Sequence, residues 1–268
     1  MNPITQLSAF NSITFVEKTH EYFISDKKAK NPSVTGIIKR FKTPFDVESA
    51  ARRVSARTGD PLDIVKLGWE LNNKTSTSLG SILHKYIENS YGNKKIPIEK
   101  DLLSASLGET EKQLILDSLP ILITQVKDFL KNTKHIHSVR NELVIGDIDD
   151  TEICGMVDLL GYNSETDSYE ILDFKTNKKI LDKSPYKQFL KDPFNEMSDT
   201  EIGQYTIQLN VYQYILSKYT SLNITKRKIV WFNAKNETYK IFELEDIQDK
   251  IIQMIEIISQ STKTTIPT

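Results

Sequence analysis

The chain has a single cysteine in 268 residues, Cys154. That excludes an internal disulfide framework and any four-cysteine zinc or iron–sulfur site. It also has no excess of charge: 35 basic and 36 acidic residues give a net charge of -1. A polycation that coats nucleic acid is therefore excluded, and contact with a polyanion must come from local basic patches. No apolar run is long enough to span a bilayer. The opening stretch MNPITQLSAF lacks the basic and apolar regions of a signal peptide. These absences predict a cytoplasmic protein with no membrane partner. No internal repeat and no low-complexity linker is present. A hydrophobic fraction of 38% and a charged fraction of 26% fit one large domain, or a core with an appended subdomain.

Residues 13–24 read as a β-hairpin turning around Lys18–His20. Pro32 and Ser33 are placed to start a helix through Arg40. Residues 46–58 and 61–72 read as two helices, the second opened by Asp60-Pro61. Residues 79–90 form an amphipathic helix with Leu79, Ile82, Leu83, Tyr86 and Ile87 on one stripe. Residues 109–132 are helical, with Pro120 expected to end or bend them. Strands follow at 138–146, 153–162 and 169–175, the last two joined by the polar turn Asn163–Ser168. Residues 177–200 read as a basic loop or flap. A helix covers 201–219, a second hairpin spans 227–243, and a last helix runs from about Glu245 to Gln260. This order predicts an α/β or α+β fold. Residues 1–78 would form a hairpin plus helical extension, 79–262 a core, and 263–268 a flexible tail.

Chemistry concentrates on two consecutive strands, Ile153-Cys-Gly-Met-Val-Asp158 and Glu170-Ile-Leu-Asp-Phe-Lys175. Strand alternation puts Asp173 and Lys175 on one face with Ile171, and Phe174 on the other. It puts Met156, Asp158 and Leu160 on one face of the previous strand, and Val157 and Leu159 on the opposite one. An aspartate among such apolar neighbours needs a cation to offset its desolvation. A hairpin can bring both aspartates within reach of one hard divalent ion such as magnesium or manganese. A lysine beside them can orient a water or neutralise charge building on a phosphate. Glu142 either joins this acidic cluster or ends its strand in water.

His84 and Glu88 lie one turn apart at the margin of the apolar stripe, with Gly80 a turn below. His84 is either a metal ligand or proton relay, or a boundary histidine paired with Glu88 to stabilise the helix. His20, His135 and His137 have no such setting and read as structural. On helix 201–219, Gln204 and Gln208 fall within the apolar face, away from Thr206, Gln213 and Ser217, and Tyr212 is one turn beyond Gln208. Buried amides need partners. These glutamines either bend to water or contact the carboxylates or a phosphate. Lys178, Lys179, Lys183, Lys187 and Lys191 follow Lys175, with Tyr186 and Phe189 interleaved. Lys39, Arg40, Lys42, Arg52, Arg53 and Arg57 form a second basic cluster. Each cluster is a solvated face or a surface for a nucleic-acid backbone.

Five elements then agree in order. They are His84 in Gly80-Ser-Ile-Leu-His-Lys-Tyr-Ile-Glu88, Glu142 in Asn-Glu-Leu-Val, Gly155-Met-Val-Asp158, Ile171-Leu-Asp-Phe-Lys-Thr176 and Gln208-Leu-Asn-Val-Tyr212. Over roughly residues 80–215 the chain resembles RecB-like nucleases of the PD-(D/E)XK superfamily, in particular the phage-type and mitochondrial genome maintenance exonucleases. The resemblance implies an α/β restriction-endonuclease-like core, a central mixed sheet flanked by helices, with an N-terminal hairpin and helical extension.

It further implies Asp158, Asp173, His84 and the Phe174 carbonyl as ligands of one or two Mg2+ or Mn2+ ions. Lys175 would position the attacking water, and Glu142 would support the ion site. Gln208 and Tyr212, with Glu88 and Gln204, would order the site. The basic clusters, apart from the resemblance, offer Lys178, Lys179, Lys183, Lys187, Arg52 and Arg53 to a DNA backbone. An iron–sulfur version is excluded by the cysteine count. The implied activity is a metal-dependent DNA exonuclease acting on single strands or ends, alongside replication or recombination proteins. The alternatives are a structure-selective endonuclease or nickase with the same site, or a non-catalytic DNA-binding accessory protein.

Overall fold

A five-stranded mixed sheet covered on both faces by helices forms the body of the protein. The computed structural model describes residues 2–92, 107–184 and 187–263, with side chains to residue 260. Tyr186 and residues 264–268 of the expected tail lie outside the described residues. Strands β4 (Ile136–Gly146), β5 (Cys154–Asn163) and β6 (Ser168–Lys175) pair antiparallel, β7 (Ile224–Trp231) pairs parallel to β6, and β8 (Lys240–Glu243) closes the sheet antiparallel. Ahead of it, β1 (Ile13–Val16), β2 (Glu21–Ile24) and β3 (Lys27–Lys28) form a small antiparallel sheet.

The α-helices among the described residues are α1 (Pro3–Gln6), α2 (Val34–Ile38), α3 (Val47–Thr58), α4 (Leu62–Tyr91), α5 (Glu109–Asn132), α6 (Glu201–Tyr219) and α7 (Gln248–Lys263). Two hydrophobic clusters sandwich the large sheet. On one face Leu79, Leu83 and Ile87 of α4 and Ile115, Leu122 and Phe129 of α5 pack on Leu159, Leu172 and Phe174. On the other, Ile207, Val211 and Ile215 of α6 pack on Leu160, Ile171 and Ile229, joined by Val34 and Ile37 of α2 and Met254 of α7. Burying apolar stripes on both faces is what the β6–β7 parallel pair requires.

Two helices depart from the sequence reading. Residues 61–72 and 79–90 are not separate: α4 runs unbroken from Leu62 to Tyr91, straight through residue 78. The polar stretch between them carries no proline or glycine to break the helix, and the Thr75 hydroxyl is satisfied within it by the Leu71 carbonyl. Pro120 does not end α5. The buried row Ile115, Leu119, Leu122 and Val126 holds the helix together across the missing N–H donor.

Candidate active site

The large sheet opens at the residues that carry the chemistry. Strands β5 and β6 pair from Asn163–Ser168 up to Leu159–Leu172, and there the pairing stops. Past that point β5 continues against β4 and β6 against β7. Asp158 and Asp173 are the first residues beyond the fork. The Asp158 side chain replaces the lost ladder bond: its Oδ2 accepts from the Phe174 N–H at 2.8 Å.

Asp158 is also where strand alternation slips. Val157 and Leu160 both join the core under α6, whereas Leu159 joins the core under α4 and α5. The expected grouping of Met156, Asp158 and Leu160 on one face, with Val157 and Leu159 opposite, is therefore wrong. The cause lies in the partner strand. The pairs Asn141–Leu159 and Leu143–Val157 set Glu142 opposite Asp158, and Glu142 has a positive φ of 48°. A left-handed residue costs about 1–3 kcal/mol and persists only where its surroundings demand it. Here it turns the paired strands over, so Glu142 sits mid-strand and faces α4 rather than ending β4.

His84 approaches from α4. Its Nε2 lies 2.7 Å from the Phe174 carbonyl oxygen. Its Nδ1 lies 3.6 Å from Asp158 Oδ2 and 3.9 Å from Glu142 Oε1. Burial opposes a charged imidazole, but the Asp158 and Glu142 carboxylates outweigh it and hold the His84 pKa up at about 9. His84, Glu142 and Asp158 each offer a ligand atom, all within 4.8 Å of one another. Two carboxylate oxygens and an imidazole nitrogen fit a hard divalent cation such as manganese or magnesium. With Nε2–H donating to the Phe174 carbonyl, Nδ1 is the nitrogen that faces the carboxylates. That outer hydrogen bond fixes ring orientation as in built metal sites. The Phe174 carbonyl, expected as a metal ligand, serves His84 with one of its lone pairs.

Asp173 is 2% exposed and faces α6. Its Oδ1 accepts from Gln208 Nε2 at 3.3 Å, and its Oδ2 pairs with the Lys175 ammonium. Gln208 Nε2 also donates to the Tyr212 hydroxyl at 3.0 Å. Burial and the neighbouring Asp158 charge push the Asp173 carboxyl up to about 6, against the pull of Lys175. Burial works against the Lys175 charge, but Asp173 and Asp158 hold the ammonium above its usual range. Tyr212 packs its ring on Gly155, where a Cβ would come within 2.5 Å of it. The glycine two residues before Val157 thus lets the tyrosine reach Gln208.

Two residues escaped the sequence reading. Tyr205, one turn before Gln208 on α6, places its ring 5.1 Å from the Lys175 ammonium. The helical spacing was the available signal. Asn233 donates to the Asn177 and Lys178 carbonyls at 2.9 and 3.1 Å and pins the chain just past Lys175. No local pattern marked it.

Other expected site residues lie elsewhere. Gln204 donates to Asp199 at 3.0 Å instead of reaching the carboxylates. Glu88 pairs with Lys85 at 3.2 Å and not with His84. Each stands one helical turn, about 6 Å along the axis, from the residue that reaches the fork, and is taken by a nearer partner. Thr206, read as polar-side, is 5% exposed and donates to the Ile202 carbonyl. Lys178 bonds Asn72 of α4. Lys179, Lys183 and Lys187 are exposed on the loop after β6, and Arg53 is exposed on α3, where Arg52 pairs with Glu48 at 3.4 Å.

No family model matches the chain, and no curated protein does. Among solved structures it is similar to a "Putative exonuclease" from Eubacterium rectale, at 17% identity and a TM-score of 0.44. That match covers 71% of this chain and 65% of the other, so the chain spans about two-thirds of that protein's length. It is also similar to the protein SSO0001, at 13% identity and a TM-score of 0.30, over 72% of this chain and 76% of that one. No described helix is long and apolar enough to cross a membrane.

Proposed function

We propose that the fork between β5 and β6 is the active site of a divalent-metal-dependent deoxyribonuclease that hydrolyses phosphodiester bonds. The observation that carries this reading is the meeting of two sets at one opened sheet end: the donor trio His84, Glu142 and Asp158, and the buried Asp173–Lys175 pair. The order of the five sequence motifs supports it independently. A structural acid–lysine bridge would not need three further ionisable groups crowded beside it.

Magnesium or manganese held there would lower the pKa of a bound water and stabilise charge developing on the phosphate. The protein's own residues do the rest. Asp158 and Glu142 would hold the ion through oxygens, and His84 through a deprotonated Nδ1. Lys175 has three ammonium donors; Asp173 takes one, leaving others for the attacking water or a phosphate oxygen. Gln208, fixed by Tyr212, keeps the Asp173 carboxylate in place. The basic loop from Lys178 to Lys187 would contact the DNA backbone. Single strands and DNA ends, as they occur in replication, recombination and repair, are the proposed substrates.

End-labelled single- and double-stranded oligonucleotides incubated with manganese, magnesium or a chelator test this. Metal-dependent shortening is the expected result, and intact DNA with both ions would sink the proposal. Covalently closed circular DNA added alongside separates exonuclease from endonuclease or nickase.

A further inference from the structure

Large apolar side chains stand exposed on the N-terminal helices: Phe45 is 70% exposed, Leu67 60% and Val47 50%. The rings of Phe45, just ahead of α3, and Trp69, on α4, lie 6.5 Å apart at 51°. Phe45 is open to solvent and Trp69 is half-buried against it, so the pair still presents π-face to a ligand.

Trp69 and His84 belong to one uninterrupted helix. Fifteen residues at 1.5 Å each separate them by about 22 Å, and helical rotation brings them back to within about 60° of one side. Between them on that side stand Asn73, Thr77 and Gly80, all polar or small. Lys178, from the loop after Lys175, bonds Asn72 of the same helix stretch. A polar track therefore leads from the aromatic pair to the fork.

The charge matches a polyanion. Residues 39–74 hold eight basic and five acidic residues, a net +3 in a chain of net charge -1. Two of those acids are already committed: Asp46 caps the start of α3 through the Ser49 N–H, and Glu48 pairs with Arg52 and Lys66.

We infer that Phe45 and Trp69 form a base-stacking platform that grips unpaired nucleotides and leads a single strand along α4 to His84. The inference rests on reading the fork as a nucleic-acid site. In a duplex the base faces are already stacked on one another, so the platform engages single strands and not duplex interiors. Cations alone would not make that distinction.

The chain carries its own reporter. It has two tryptophans, and Trp231 is 9% exposed with its indole N–H bonded to the Asn177 carbonyl. Trp231 lies beside the fork, so emission changes are assigned to Trp69 by repeating the titration in Trp69→Phe, where only Trp231 remains. With metal chelated, oligothymidylate is expected to quench Trp69, while a blunt duplex of equal length leaves it unchanged. Phe45→Ala should weaken single-strand binding at least about fivefold, the low end for one stacked base. Trp69→Phe, measured with a labelled oligonucleotide, should keep the affinity, and Trp69→Ala should lose it.

No quenching, equal quenching by duplex, or an unchanged affinity in Phe45→Ala would each overturn the platform. So would a dimer that Phe45→Asp disperses without any effect on oligonucleotide binding, since a second copy would then cover the patch. Cleavage assays with manganese stay separate. Binding without cleavage would remove the catalytic reading and leave the platform; cleavage without Trp69 quenching would remove the platform alone.

Discussion

Asp147 and Asp173 are both buried, 0% and 2% exposed, and each has a lysine partner, yet they behave in opposite ways. Asp147 has four donors: Lys218 at 2.6 Å and the Tyr219 hydroxyl at 3.1 Å on Oδ1, the Thr151 N–H at 3.0 Å and hydroxyl at 2.7 Å on Oδ2. Burial alone would raise its carboxyl, but the Lys218 and Thr151 donors win and hold it below the usual range. Asp173 has Gln208 at 3.3 Å and Lys175, and it stands beside a second carboxylate. Its carboxyl is pushed up. A saturated buried aspartate keeps its charge with ease; an under-donated one beside another acid resists it.

The largest break in that symmetry is catalytic. Asp173→Asn and Lys175→Ala should each cut kcat on single-stranded DNA by on the order of a hundredfold or more. Asp147→Asn, assayed well below its melting temperature, should leave kcat within about twofold. Equal losses in all three would erase the distinction. Next in size is metal stabilisation. Manganese at a hundred times its Kd should add about 2.7 kcal/mol to the unfolding free energy. Calorimetry should show that gain vanish in Asp158→Asn, shrink in His84→Ala and persist in Asp147→Asn.

Without metal the ranking reverses. Urea unfolding of chelated protein should show Asp147→Asn costing about 1–3 kcal/mol, because the Lys218 and Thr151 groups lose their acceptor. Asp173→Asn should cost less than Asp147→Asn, because the lost Lys175 pairing is offset by relief of the repulsion from Asp158. A comparable loss in both would contradict the comparison.

The smallest effect is on pH. Asp147 is lowered, so its contribution is present above the ordinary aspartate value of about 3.9 and is lost as pH falls through the folded value. Asp173 is raised to about 6. Its contribution is complete below the ordinary value and is lost as pH rises through 6. Chelated Asp173→Asn should therefore differ from wild type mainly above pH 6, and Asp147→Asn mainly above pH 4. Unfolding curves across that range check both.

Two parts of the candidate site were legible because each lies on a single strand or a single helix. Asp173 and Lys175 share a face, as alternation requires, and Gln208 and Tyr212 meet one helical turn apart. Helices and strands were also mostly placed by periodicity. Asp158 was legible as a buried acid but not in its direction, because a single positive φ at Glu142 in the neighbouring strand turns it over. The partners of Gln204 and Glu88 were illegible for a related reason: each has a local competitor, Asp199 or Lys85, that periodicity does not rank. The Asp147 cluster left no pattern, since its donors come from 4 and about 70 residues away.

The sequence by itself determined which residues are apolar, which segments wind or extend, and that two aspartates and a lysine arrive on successive strands. Those follow from periods of 3.6 and 2, which are properties of neighbouring residues. Only the tertiary structure decided that β5 and β6 part company at those aspartates, that Asp158 turns toward His84, and that the helix carrying His84 also carries Trp69 against Phe45. Each depends on which strand or helix lies alongside, and an acid's surroundings, not its identity, set whether it bonds, repels or binds a cation.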